Sequence, residues 1–254
     1  MSRGKKSSKL GPLALASLLR EVRRGEGDKR PLAVAGSREL VPLLARALRE
    51  GGDASAVVEG RVEGAAALIW VGAADEERLH AASKAGVPIV ALTDAETLPY
   101  VLAADLVRVP PGQGFPVDEL AAAVARRLGE DGTSLAARLP VLRKAVCDEL
   151  IRSFSKRNAL VAAAIFIPGV DFPVLTLNQA RLVLRIALAY GEQVDSRRAA
   201  ELLGVVGAGF GLRAVARELL DFVPVAGWAV KGAVAYTGTK AIGEAAVRYF
   251  DALA

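Results

Sequence analysis

The corner at Gly36-Ser37, where the apolar run PLAVA (31–35) gives way to a helical pattern, is the place in this sequence best suited to hold an anion. Free amides at a helix start and the helix dipole both favour negative charge there. A triphosphate with its magnesium demands more. In G-x-x-x-x-G-K-[ST] the backbone wraps the phosphates, the lysine neutralises them and the hydroxyl holds the metal. Counted from Gly36, Val41 occupies the second glycine position, and Pro42 and Leu43 occupy those of the lysine and the hydroxyl. Working P-loop chemistry is therefore excluded. G-x-G-x-x-G is also missing from this turn, which counts against a dinucleotide. What remains is a weak anion site at Gly36 and Ser37, or a serine that simply caps the helix.

Few other residues could do chemistry. There is one cysteine, Cys147, and one histidine, His80, so an intrachain disulfide and a multi-histidine metal site are both ruled out. His80 lies in a charged helical stretch and reads as an ordinary exposed or half-buried histidine. Cys147 falls in line with Leu142, Val146 and Leu150 and reads as a small buried hydrophobe. No Ser/His/Asp or Cys/His arrangement can be assembled. Asp171, with Asn178 and Gln179 shortly after it, is the one polar group in an apolar setting. Capping and loop closure are the simplest use for it, and contact with a partner is the alternative. No catalytic residue, metal or cofactor is expected.

The elements that must carry these residues follow from periodicity. From Pro31, short apolar runs alternate with amphipathic stretches: SRELVPLLARALREGG is predicted helical, with Leu40, Leu43, Leu44 and Leu48 on one face. SAVVEG, AALIWVG and VPIVALTD read as strands, DEERLHAASKAG as a helix, LPYVLAA as a short helix, DLVRVP as a strand and PVDELAAAVARRLGED as a helix. Such alternation implies a mainly parallel sheet covered on both faces. After Gly132 no strand period returns. One long or kinked helix is predicted up to the break IPGVDFP, a second ends at Gly191, a third starts near Asp195-Ser196, and the last follows VPVAGW. The expected organisation is a basic tail with a short amphipathic helix (1–30), a three-layer α/β domain, Rossmann-like or G-domain-like (31–131), and an all-α helical domain (132–254).

Charge is uneven. The net +5 is concentrated in residues 1–30, which hold nine Lys/Arg against three Asp/Glu, leaving 24 against 25 in the rest. A cationic tail attracts anionic lipid or nucleic acid, at about 1 kcal/mol per basic residue near an anionic membrane surface, and the alternative is a solvated leader that aids solubility. Leu13, Leu15, Leu18, Leu19 and Val22 suggest a short amphipathic helix beside it. No compact apolar run with a small-residue cleavage site follows MSRGKKSSKL, so the chain is expected to be cytoplasmic. The uninterrupted apolar stretch from Asn158 to Val170 is shorter than the ~20 residues of a spanning helix. Peripheral attachment to the inner face of the cell membrane, with Trp228 and Tyr236 as interfacial anchors, stands beside a bundle free of lipid. Ala235, Thr239 and Gly243 form a small-residue stripe that lets another helix approach closely. Nucleic acid is not an expected partner.

The motifs also carry resemblances. AALIWVGAADEE, VPIVALTDAE and PPGQGFPVDELAAAVARRL resemble the corresponding strands and final helix of an Era-like small GTPase. Thr93, Asp94 and Glu96 stand where N-K-x-D would grip guanine, and Glu59 stands for the Asp of D-x-x-G. An unrelated flavodoxin-like or other three-layer α/β domain is the alternative. KRNALVAAAIFIPGVDFPVLTLNQARLVLRIALAYG and VPVAGWAVKGAVAYTGTKAIGEAAVRYF resemble the bacterial domain of unknown function 697. That family is found after Era-like GTPase domains and in membrane-associated proteins of the YcjF type. The resemblance rests on Pro168-Gly169, Asp171, Asn178-Gln179, Tyr190-Gly191, Pro224, Gly227-Trp228 and the run Ala235 to Thr239, and implies a setting without a reaction. Together these features lead to the expectation of a non-catalytic, pseudo-GTPase-like regulatory or scaffolding protein. Its helical part would bind a membrane, a partner protein or another copy through Asp171, Asn178, Gln179, Trp228, Tyr236 and Thr239. A nonstandard anion-binding enzyme or sensor at Gly36-Ser37 is the alternative.

Overall fold

The computed structural model describes residues 17–22, 27–108, 114–164, 172–195, 197–199, 201–202, 204 and 228–253. A helix, α1, described over residues 17–22, precedes β1 (Leu32–Gly36), α2 (Leu40–Leu48), β2 (Val57–Glu59), β3 (Ala67–Val71), α3 (Glu76–Lys84), β4 (Ile89–Thr93), β5 (Leu106–Arg108) and α4 (Val117–Leu128). The five strands form one sheet in the order β2-β1-β3-β4-β5, and every pairing is parallel. Among doubly wound sheets this is the flavodoxin-type order.

Side-chain alternation along the strands divides the core in two. Leu32 and Val34 of β1, Ile69 and Val71 of β3, and Val90 and Leu92 of β4 face α2 and α4. Ala33, Ala35, Leu68, Trp70, Ile89 and Ala91 face α3. Helices lie on both sides because right-handed crossovers place the helix after β1 and the helix after β3 on opposite faces once the strand order reverses. Two crossovers lack the helix that usually spans them. Seven residues, 60–66, join β2 to β3, and Val62 packs over the α3 face in place of a helix. The short helix expected near LPYVLAA is instead a turn followed by a 3-10 helix, Ala103–Asp105. The Val101 N–H donates to the Leu98 carbonyl at 3.3 Å with Pro99 at the second position. Tyr100 is held at φ 64°, and a chain in that conformation cannot continue an α-helix.

The helical half begins with α5 (Thr133–Arg138) and α6 (Pro140–Ala164), separated by the kink the sequence allowed. Leu139 is extended (φ −123°, ψ 93°), as the residue before a proline should be. α7 (Phe172–Ala189) ends at Gly191, at φ +83°, and α8 is Trp228–Asp251. Helical residues resume at Arg197, capped by the Asp195 carboxylate on the Arg198 N–H at 2.7 Å. α7 and α8 both run antiparallel to α6. Asn178 meets Asn158 while Tyr190 meets Arg143, and Gly232 meets Ala159 while Gly243 meets Ile151. The small-residue stripe is used within the chain. A Cβ at Gly243 would stand 2.5 Å from Ile151 Cγ1 and 3.1 Å from Leu182 Cδ2, and one at Gly232 would stand 3.2 Å from the Ala159 oxygen.

One continuous cluster of buried residues runs from the α2/α4 face of the sheet through α4, α5 and α6 to α7 and α8. Glu130, between α4 and α5, fastens the junction: its carboxylate lies 3.1 Å from Arg157 and 3.2 Å from Arg185, whose side chain is only 8% exposed. The N-terminal segment belongs to this same body. Leu18, Leu19 and Val22 of α1 are buried in the cluster, Ser134 donates to the Asp28 carbonyl, and Arg138 donates to the Arg30 carbonyl at 2.6 Å. The amphipathic helix of the tail therefore docks on the chain's own core.

Candidate functional site

Ligands of open parallel sheets sit beyond the carboxyl ends of the strands, where the strand order reverses. In this sheet that point lies between β1 and β3, at Gly36, Ser37, Gly72 and Ala73. The crevice is drawn shut. The Ser37 N–H donates to the Val71 carbonyl at 2.8 Å, continuing the β1/β3 ladder one residue past the strand. Gly36 has φ +123°, and a Cβ there would lie 2.1 Å from the Val71 oxygen. Gly72 presses on the same corner: a Cβ would be 3.5 Å from the Ser37 Cβ. The Ser37 carbonyl accepts from the Val41 N–H at 3.0 Å, so helical bonding starts at Ser37 through its backbone, and no side chain caps α2.

α2 is rotated from the face the leucine spacing suggested. Val41, Leu44, Ala45 and Leu48 are buried, whereas Leu40 is 36% and Leu43 56% exposed. Two overlapping apolar stripes are available in this helix, and the sheet takes the one containing Val41. Leu43, in the hydroxyl position of a P-loop, is thus an exposed apolar side chain. The indole N–H of Trp70, on the strand floor, donates to the Ala73 carbonyl at 2.9 Å under the Arg78 guanidinium, 5.1 Å from the ring centroid.

The second cluster lies inside the helical half. Asn178 and Thr239, expected as contact residues, are 7% and 0% exposed and face inward. They meet through Asn158, which the sequence reading passed over. The Asn158 Nδ2 donates to Thr239 Oγ1 at 2.9 Å, the Asn178 Nδ2 donates to Asn158 Oδ1 at 2.8 Å, and Gln179 Nε2 reaches Thr239 Oγ1 at 3.4 Å. Arg181 extends the chain outward. It donates from Nη1 to Asn178 Oδ1 at 2.9 Å and from Nη2 to the Glu21 carboxylate of α1 at 2.8 Å. Because arginine can only donate, Asn178 must present its oxygen to it and its nitrogen to Asn158. Asn158 is then forced to turn its own nitrogen to Thr239. One cation thus sets both amide orientations. Asn158 could have been noticed as the polar member of the stripe Ile151, Phe154, Asn158, Ala162.

Four titratable residues elsewhere are held by packing and local contacts. Burial pushes the Cys147 thiol up to about 12, which leaves it a protonated hydrophobe. Asp105, 3% exposed, is pushed above the usual carboxylate range by burial, against the pull of Arg127 at 3.2 Å. His80 is exposed and stacks on Tyr100 with centroids 5.1 Å apart. Burial, and then its hydrogen bond to Asp251, raise the Tyr190 hydroxyl. Among the described residues no group of His, Cys, Asp and Glu could hold a metal. Of the other expected contact residues, Tyr236 is half-buried, the backbone of Trp228 opens α8, and Asp171 lies outside the described residues.

No family model, no curated protein and no solved structure matches this chain. The parallel α/β sheet joined to a helical half is what defines its class.

Proposed function

We propose that the chain is a non-catalytic regulatory or scaffolding protein, in which an α/β layer without nucleotide-anchoring groups carries a helical half that engages a membrane surface or a protein. The observation that supports this best is the corner at Gly36. Its amide side is bonded to β3, and apolar Pro42 and Leu43 occupy the positions where a cation and a hydroxyl would be needed. The same bond opposes an anion sensor there, since the Ser37 N–H is already taken by the Val71 carbonyl. A pseudo-GTPase origin rests on the sequence resemblance alone, and the strand order is of the flavodoxin type. Isothermal titration with GTP, GDP, ATP and NAD should give no heat of binding. Micromolar affinity for any of them would reject the reading.

The surface for engagement is the end of the helical half where α6 finishes and α7 and α8 begin. Leu160 (72% exposed), Val174 (43%) and Val230 (39%) are exposed on the three helices at that end. No described helix is long and apolar enough to cross a membrane, so contact with lipid would be peripheral, at the inner face of the cell membrane. Co-sedimentation with anionic vesicles at low salt tests it, and absence of the chain from the pellet would remove the membrane arm. Deleting residues 1–30 is the wrong control, because Leu18, Leu19 and Val22 are core residues.

A further inference from the structure

We propose that α1 is a strap that holds the polar core of the helical half in register, and that an anionic lipid surface releases it; the trigger rests on the membrane reading above. α1 is held to the body through its apolar face and an ion pair, so it docks or leaves as a unit, which makes it a two-state element. Its contacts are of two kinds. Leu18, Leu19 and Val22 are at most 6% exposed in the shared core, and Glu21 pairs with Arg181.

That pair sits at the head of the buried chain of hydrogen bonds. The Arg181 side chain is 17% exposed, its Nε has no hydrogen-bond partner, and Glu21 is the acidic group paired with it among the described residues. Undocking α1 leaves a mostly buried cation without its anion, and a cation in that state is driven toward water. When Arg181 swings out, Asn178 loses the donor that orients it, and Asn158 and Thr239 lose their fixed polarity in turn. Strap release therefore loosens the contacts among α6, α7 and α8 beside the end bearing Leu160, Val174 and Val230. The remainder of the molecule is shielded, because the chain is pinned again to α5 at Asp28 and Arg30 before it enters β1.

The occupant that competes for α1 is set by its own side chains. Residues 1–20 hold Arg3, Lys5, Lys6, Lys9 and Arg20 with no acidic residue, followed closely by the apolar side chains that α1 now buries. A basic segment beside leucines binds an anionic interface by charge and inserts its apolar face. Leu18, Leu19 and Val22 can lie in the core or in lipid, not both.

Hydrogen exchange on the full chain tests the strap in water first. Glu21→Gln and Arg181→Met should each speed exchange of the amides of residues 17–22 and of 174–181 together, by roughly five-fold, the scale of one partly exposed charge pair. If α1 speeds up while α7 stays as in the wild type, or if neither changes, the strap is overturned. Vesicles containing phosphatidylserine should then produce the α7 change in the wild type, whereas phosphatidylcholine vesicles should not. Triple reversal of Lys5, Lys6 and Lys9 to Glu should abolish it and leave exchange in water unchanged. Sedimentation with phosphatidylserine vesicles without the α7 change overturns lipid release and spares the membrane reading. No sedimentation overturns both, and leaves the result in water to decide the strap.

Discussion

Gly36 lies against Val71 so closely that the carbonyl oxygen of Val71 occupies the space a Cβ would need, 2.1 Å from its ideal position. This contact, with the Ser37 N–H bonded to the same oxygen, turns the reversal point of the sheet into a closed seam.

Gly36→Ala should therefore be among the most damaging single substitutions. It combines the ~1–3 kcal/mol cost of a left-handed non-glycine residue with a clash against backbone that cannot rotate aside. Urea unfolding should show a loss of about 3 kcal/mol or more, and an alanine variant as stable as the wild type would mean that the seam opens without cost.

The buried amide chain makes a contrast between single and multiple substitutions. Asn158→Leu strands the Asn178 Nδ2 and removes the donor to Thr239, at about 1–3 kcal/mol for a buried polar group left unmade. Replacing Asn158, Asn178 and Thr239 together with apolar residues should cost less than the sum of the three single changes. Additive losses in denaturant unfolding would show that the three residues act separately.

Cys147 should be silent to thiol reagents. Its thiol, 1% exposed and pushed up to about 12 by burial, stays protonated at pH 8, so an aromatic disulfide reagent should react in denaturant and not in buffer. Fast labelling of the native chain would contradict its placement between α6 and its neighbours.

Asp105 contributes a pH dependence of opposite sign to that of a carboxylate whose pKa an ion pair lowers. Its folded pKa is raised above 3.8, first by burial, so the folded state holds the proton more tightly than the unfolded state. Its contribution therefore falls as pH rises from about 3.8 through the raised value. Asp105→Asn should remove that decline, measured as the difference in unfolding midpoint across the window. An unchanged slope would place the carboxyl in water.

Much of the architecture is a local matter. β1, β3 and β4 are continuous apolar runs between turn residues, α3 starts at Asp75, whose carboxylate accepts from the Arg78 N–H at 3.1 Å, and Pro140 sets the kink between α5 and α6. Each depends on residues within a few positions of one another, and periodicity reports such relations directly. The missing phosphate apparatus was equally legible, because a motif is a statement about neighbours in the chain.

Tertiary structure alone decided which apolar stripe of α2 would be buried, since Val41 and Leu43 offer rival faces and only the position of the sheet chooses between them. It decided that the small residues of α8 would receive α6 and not an outside helix, that Asn178 and Thr239 would turn inward, and that α1 would pack on its own chain. The reason is the same each time. An amphipathic or small-residue face records that something must cover it, and what covers it depends on residues 20 to 160 positions away, as Asn158 is from Asn178 and Glu21 from Arg181.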